Sequence, residues 1–155
     1  MDDETLAENV KGLTFSAGHR AMSVEDLVRI QPGLGRIMPE IGARTWKLYY
    51  AVKADNWPLA LFQYKEIKSL FALCAFTRPK HEAGLKQYVE TDWSILEAPL
   101  KQQDALAFEA AFERCVAAAN AWHERTGKPY IVWKLPDSPP PDLDLRPRKR
   151  DRESC

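Results

Sequence analysis

Apolar residues return at helical spacing over four long stretches of the chain. Ile37, Ile41, Leu48 and Val52 recur near a period of 3.6, which predicts a helix from about 39 to 55 with Pro39 in its first turn. Ala60, Tyr64, Ile67, Phe71 and Cys74 keep a 4-3-4-3 stripe. That helix opens on Asn56, a good N-cap followed by Trp57 and Pro58, and stops near Thr77 at the Arg78-Pro79 step. Leu85, Tyr88 and Leu96 share one side of a third helix, from 79 to about 97, which Pro99 ends or kinks. Phe108, Phe112, Cys115, Ala119 and Trp122 repeat the 4-3-4-3 stripe, from Asp104 to about Thr126, and Gly127 suits the position after the helix end. A shorter helix starts at Ser23 with Glu25 and Asp26 in its first turn, and Pro32, Gly33 and Gly35 end it.

No convincing alternating strand is present. Tyr130-Ile131-Val132-Trp133 is β-like but too short to form a sheet alone. Helices this long, joined by very short connections, must run antiparallel to their neighbours. The expected fold is therefore all-α: an antiparallel up-down-up-down four-helix bundle with a short N-terminal helix and an extended C-terminal tail. The expected organisation is a loose N-terminal arm over 1–22, the bundle over 23–135, and a Pro-rich, basic, disordered tail over 136–155.

Composition narrows the function classes. The 155 residues carry 22 Lys+Arg against 22 Asp+Glu, a net charge of zero. That balance argues against nucleic-acid or anionic-membrane binding, which needs a basic footprint. Five of the seven residues from 146 to 152 are basic, but such a run reads as a solvated tail. No window approaches the length of an apolar membrane span. The start Met1-Asp2-Asp3-Glu4 is acidic, unlike a secretory leader, so a cytoplasmic protein is expected. Cys74, Cys115 and Cys155 are odd in number and far apart, which predicts neither a disulfide framework nor a zinc ribbon.

Two segments carry the most specific signal. One is Asn56-Trp57-Pro58-Leu59-Ala60, shortly after Lys47-Leu48-Tyr49-Tyr50-Ala51. The other runs Ala119-Asn120-Ala121-Trp122-His123, then Thr126-Gly127-Lys128-Pro129-Tyr130-Ile131. Together, over about residues 37–135, the chain resembles the cytochrome c′-like four-helix-bundle family. Those proteins have a similar Asn-Trp-Pro-Leu-Ala step and carry Cys-x-x-Cys-His late in the last helix. Here Ala119 and Trp122 stand where the two haem-attaching thiols would be, so no thioether can form. The position of the axial ligand, His123, is kept. The resemblance implies the bundle fold without covalent haem or electron transfer.

Bundle topology brings the start of the first long helix, the end of the second and the start of the third beside His123. The expected ligand site is Met38, Ile41, Arg44, Phe71, Cys74, Tyr88, Trp122 and His123, with Leu85 nearby and Tyr130 and Trp133 folding over the opening. An alternative metal set is His81 and His123 with Glu40 and Cys74, although no local Glu-x-x-His or His-x-x-x-His pair supports it. No phosphate loop or nucleophile elbow occurs, and Cys115 and His123 are two turns apart on one helix, too far to pair.

The expected function is therefore non-enzymatic: a haem-less bundle that binds a small apolar or aromatic ligand, or a protein partner. Its alternative is a protein that holds haem non-covalently, or a metal, through His123, in a redox or sensing role. No cofactor, nucleic acid or membrane is expected. The oligomeric state is left open by the residues, but related bundles often pair through their first two helices, and the resemblance thus implies a homodimer with Trp46, Tyr49 and Tyr50 facing the second copy.

Overall fold

A computed structural model describes residues 13–16, 18 and 20–148. The chain is mostly helical, as expected, and divides into two compact units, Met1–Gly33 and Leu34–Cys155.

In the first unit, β1 (Thr14–Ser16) pairs antiparallel with β2 (Ala21–Ser23), and Phe15 faces Met22. Gly18 lies between them at φ +83°, where a side chain would be strained. The described part of the expected loose arm is thus a hairpin. Three residues per strand are too few for alternation to be visible in the sequence. Residues 1–12 of that arm lie outside the described residues. Ser23 also caps α1 (Val24–Arg29): its hydroxyl accepts from Asp26 N–H at 3.1 Å, while the Asp26 carboxylate accepts from Ser23 N–H at 3.0 Å. This helix groups with the first unit, not with the long helices.

The second unit holds α2 (Leu34–Lys53), α3 (Trp57–Thr77), α4 (Glu82–Tyr88), α5 (Glu97–Gln102) and α6 (Ala105–Arg125). α2 begins five residues before Pro39, which sits inside it without an N–H for the Gly35 carbonyl. The expected single helix from 79 to 97 is instead a run of changing pitch. A 3₁₀ turn (Pro79–His81) leads into α4, a π turn (Val89–Trp93) follows, and a second 3₁₀ turn (Ser94–Leu96) leads into α5. Pro99 does not stop the run, because it lies in the first turn of α5, where its missing N–H is tolerated.

The connections explain how the helices lie. After α2, Asn56 N–H reaches back to Ala51 O at 2.8 Å and Asp55 N–H to Val52 O at 3.0 Å. After α5, Asp104 N–H reaches Pro99 O at 3.0 Å and Gln103 N–H reaches Leu100 O at 3.4 Å. After α6, Lys128 N–H bonds His123 O at 2.8 Å and Gly127 N–H bonds Glu124 O at 3.0 Å. All three are Schellman turns, which need a left-handed residue: Asp55 (φ 55°), Gln103 (φ 56°) and Gly127 (φ 76°). In the first two, the very next residue caps a new helix. Asn56 Oδ1 accepts from Leu59 N–H at 3.2 Å, and Asp104 Oδ1 accepts from Ala107 N–H at 3.0 Å.

Chains reversed this sharply pair antiparallel. α2 meets α3 through Arg44 and Gln63 (3.1 Å) and α6 through Lys53 and Glu109 (2.7 Å). Phe71 of α3 meets Tyr88 at 5.5 Å between ring centres, and Tyr64, a turn or two earlier, stacks on Trp93 at 6.0 Å. Tyr88 Oη donates to the Cys115 carbonyl of α6 at 3.1 Å. Leu48, Val52, Ile67, Cys74, Leu96, Leu100, Phe108 and Cys115 form a fully buried centre drawn from every long stretch. No described helix is long and apolar enough to cross a membrane.

The β-like run 130–133 is not a strand, and 131–148 carries neither helix nor strand. The disorder expected from 136 onward does not hold for 136–148, which lies against α2. Trp46 Nε1 donates to Ser138 O at 2.8 Å, Tyr50 Oη to Pro136 O at 3.0 Å and Asn56 Nδ2 to Leu145 O at 3.0 Å. Composition alone misses this, because the donors sit about ninety residues earlier. The remainder, 149–155, lies outside the described residues.

The turn geometry sets a stability test. Gln103→Gly removes left-handed strain and raises the unfolding free energy by about 1 kcal/mol. Gly127→Ala introduces that strain in otherwise open space and lowers it by a similar amount. Urea unfolding of both variants reads the difference.

Candidate functional site

The expected site is the C-terminal end of α6 and what surrounds it. Trp122 packs against Gly84 of α4. A Cβ built on Gly84 would come within 3.0 Å of the indole, so the absence of a side chain there lets the ring close down on the helix. The Arg125 guanidinium lies over the ring, 3.9 Å from its centre. Trp122 Nε1 is buried without an acceptor. His123 turns away: its Nδ1 is 2.9 Å from the Ile131 carbonyl and the side chain is half-exposed.

The other expected residues divide between the core and outside partners. Ile41, Phe71, Cys74 and Tyr88 belong to the buried core, and Met38 and Leu85 pack against it. Phe71 and Tyr88 do meet, edge to face. Arg44 is engaged elsewhere, with Glu40 at 2.9 Å, Gln63 at 3.1 Å and Glu66 at 4.0 Å, which ties α2 to α3. Tyr130 does not fold over the opening; it is 76% exposed. Trp133 does fold back, but onto Gly42 of α2 and Phe112 of α6. Asn120 holds it there, accepting from Trp133 N–H and donating to Trp133 O, both at 2.9 Å. Among the described residues, no three His, Cys, Asp or Glu side chains gather as metal ligands, so His81, His123, Glu40 and Cys74 do not form the alternative set.

Sequence reasoning missed the centre of the aromatic cluster. Trp93 is 2% exposed and touches Tyr64, Phe71 and Tyr88 at 5.9–6.5 Å between ring centres. The π turn directs it inward, and a uniform helical count across 85–96 cannot locate that turn. The same change of pitch leaves the Asp92 carbonyl to the Cys115 thiol, which donates to it at 2.8 Å. Tyr64 reaches outward instead, donating to Glu97 at 3.3 Å. An open groove of about 460 Å³ was also missed. Tyr49, Phe112, Val116 and Leu135 wall it, and Glu109, Glu113 and Asn120 edge it.

The buried titratable groups are held neutral. Burial pushes the Tyr88 phenol well above its usual range, with Cys115 and Asp92 adding to it. Burial raises Tyr64 too, and the Glu97 charge adds to it. Burial lifts the Cys74 thiol. Cys115 is pushed up to about 12, first by burial and then by Asp92. A thiol so held is protonated at neutral pH and is not a nucleophile. Neither buried cysteine has the charge environment of a catalytic one.

No family model, curated protein or solved structure matches the chain.

Cys115 sets an alkaline test. Between its unfolded value near 9 and its folded value of about 12 the native state keeps a proton that the unfolded chain releases, so stability falls as pH rises through that window. One such proton is worth roughly 1.4 kcal/mol per pH unit. Cys115→Ala flattens the decline by about that slope in unfolding experiments run from pH 8 to 11, and leaves the slope below pH 8 unchanged.

Proposed function

We propose that the second unit is an up-down-up-down four-helix bundle that acts by binding rather than by catalysis, and that its binding face is the outer side of α3. The antiparallel pairings of α2, α3, the 79–102 run and α6 support the bundle. The observation that carries the binding face is the exposure of Phe62 (51%), Leu73 (37%) and Phe76 (81%) on a helix whose inner side already fills the core. A helix apolar on both sides is normally covered on both sides.

The occupant is a second copy. Phe62, Ser69 and Phe76 are seven residues apart on one face, with the small Ala72 beside them. A two-fold axis at Ser69 sets Phe62 of one copy opposite Phe76 of the other, about 10 Å to either side of the crossing. The small central residue lets the helices approach, and the paired rings close the ends. Tyr50 and Trp46, the α2 residues first expected to meet a second copy, are engaged by the chain's own tail.

A small apolar ligand at Trp122 and His123 is the weaker form of the binding reading, because the indole already occupies the space against Gly84. The same contact supports a bundle without haem. One observation favours the alternative: with Nδ1 on the Ile131 carbonyl, His123 Nε2 is the nitrogen left to ligate iron. A Soret band in protein made with haem supply, lost in His123→Ala, would replace the present reading.

Sedimentation of the full chain tests the binding face. The wild type sediments as a dimer whose dissociation is concentration-dependent. Phe76→Glu and Phe62→Glu sediment as monomers and keep folding stability within about 0.5 kcal/mol, as expected for exposed positions. A wild type that stays monomeric at all concentrations, or variants that stay dimeric, rejects the α3 face.

A further inference from the structure

The chain's own segment 136–145 crosses α2, and the polarity of its contacts is one-sided. Trp46 Nε1 donates to Ser138 O, Tyr50 Oη to Pro136 O, and Asn56 Nδ2 to Leu145 O. Lys47 Nζ meets the Asp142 carboxylate at 2.6 Å. In each contact the helix side supplies the donor and the segment the acceptor. The segment is rich in proline, at 136, 139, 140 and 141. Proline has no N–H, so such a stretch presents carbonyls in excess of donors. A face carrying an indole N–H, a phenol O–H, an amide NH₂ and an ammonium is its chemical complement.

The geometry follows the general physics of proline-rich recognition. Indole and phenol rings offer flat apolar walls while their polar tips bond backbone carbonyls, and proline's fixed φ means little entropy is lost on docking. Pro140 is buried against the unit although its neighbours 139 and 141 are exposed. Carbonyl contacts read the shape and proline content of a segment, and the Lys47–Asp142 pair adds a requirement for an acid just after the prolines. The anchor of the segment is separate. Trp133 is wedged on Gly42 and pinned by Asn120, so the chain beyond Leu135 is a strap tethered at one end.

We propose that the face formed by Trp46, Lys47, Tyr50 and Asn56 is a docking surface for proline-rich segments that carry an acidic residue, and that residues 136–145 occupy it in cis. A partner's segment of the same chemistry takes the face by displacing the strap. The tether sets the competition, since a linked segment acts at an effective concentration on the order of mM. Weakening the strap therefore exposes the face without altering it.

The test uses the full chain and a synthetic peptide of residues 134–148. The strap is weakened in place by Pro139→Gly, Pro140→Gly and Asp142→Lys together, and the Trp46 indole N–H resonance reports its release. Titration of the peptide is expected to show binding at least about tenfold tighter to the strap variant than to wild type, because the tethered competitor is weakened. A peptide of the same composition with its prolines displaced does not bind. Trp46→Phe in the strap variant weakens binding about fivefold or more, the order of one lost hydrogen bond. Lys47→Glu, in a chain whose strap carries Pro139→Gly and Pro140→Gly but keeps Asp142, loses the natural peptide and gains the peptide carrying Asp142→Lys. Lys47 lies outside the buried centre, so this charge exchange tests the face without depending on core packing. A Trp46 resonance unmoved in the strap variant would overturn the proposal. So would equal binding of the natural and displaced-proline peptides, or a charge exchange without effect.

Discussion

Two turns of minimal length set the geometry of the second unit. At Asp55-Asn56 and at Gln103-Asp104, one left-handed residue closes a helix and the next residue caps the following one. A connection this short cannot carry the chain across a helix end to a distant position. It returns α3 along α2, and α6 along the run that ends in α5. Every inward stripe then faces another stripe, and the fully buried centre from Leu48 to Cys115 forms where they meet. The non-glycine residues at two of these turns show that tertiary closure outweighs their local backbone preference.

The aromatic cluster is the second consequence. With α3 and the 79–102 run fixed antiparallel, Tyr64 and Phe71 face a helix whose pitch changes at the π turn. That change rotates Trp93 into the gap and frees the Asp92 carbonyl for the Cys115 thiol. It ties the third stretch to α6 by two hydrogen bonds, from Tyr88 and from Cys115. The interior therefore gains specific geometry from groups that would be candidates for chemistry elsewhere. Burial holds them protonated, and their polar atoms are spent on backbone carbonyls. The Trp93 and Trp122 indoles are exceptions, since each N–H is buried without an acceptor.

Local signals in the sequence were the ones that could be read. Ser23, Asn56 and Asp104 cap helices, and Gly127 follows the end of α6, because each acts within four residues of itself. The 4-3-4-3 stripes pointed to Tyr64, Phe71, Phe108 and Cys115 as core for the same reason. What was not legible depends on distance in the chain. Pro39 looked like a helix start, yet Leu34 begins α2: the exposed proline is flanked by Ile37 and Ile41, whose burial in the core holds the helix through it. The strap looked disordered because its donors, Trp46, Tyr50 and Asn56, lie far upstream. Of the residues of the expected site, which bundle topology gathered near His123, Phe71 and Tyr88 meet each other. That topology could not show that Trp122 would settle against Gly84, or that Arg44 would turn to Glu40, Gln63 and Glu66.

These losses and gains have one physical cause. Trp93 and Trp122 fill interior space, and the Tyr88 hydroxyl and Cys115 thiol are spent on backbone carbonyls, which is why the proposed recognition lies at the surface. Two surfaces differ in what they can recognise. The outer side of α3 offers mainly rings and methyls, its central Ser69 hydroxyl being spent on the Lys65 carbonyl, and such a face selects by shape and by exclusion of water. The face of Trp46, Lys47 and Tyr50 on α2 with Asn56 at the start of α3 offers four donors, two of them on aromatic rings, and on the proposed reading selects for carbonyls without N–H groups. The strap already satisfies that second preference, because a proline-rich segment is what leaves carbonyls unpaired. Exposed α3 has no such internal occupant among the described residues. On the two proposals, the one face is regulated by the chain itself, and the other is governed by concentration alone.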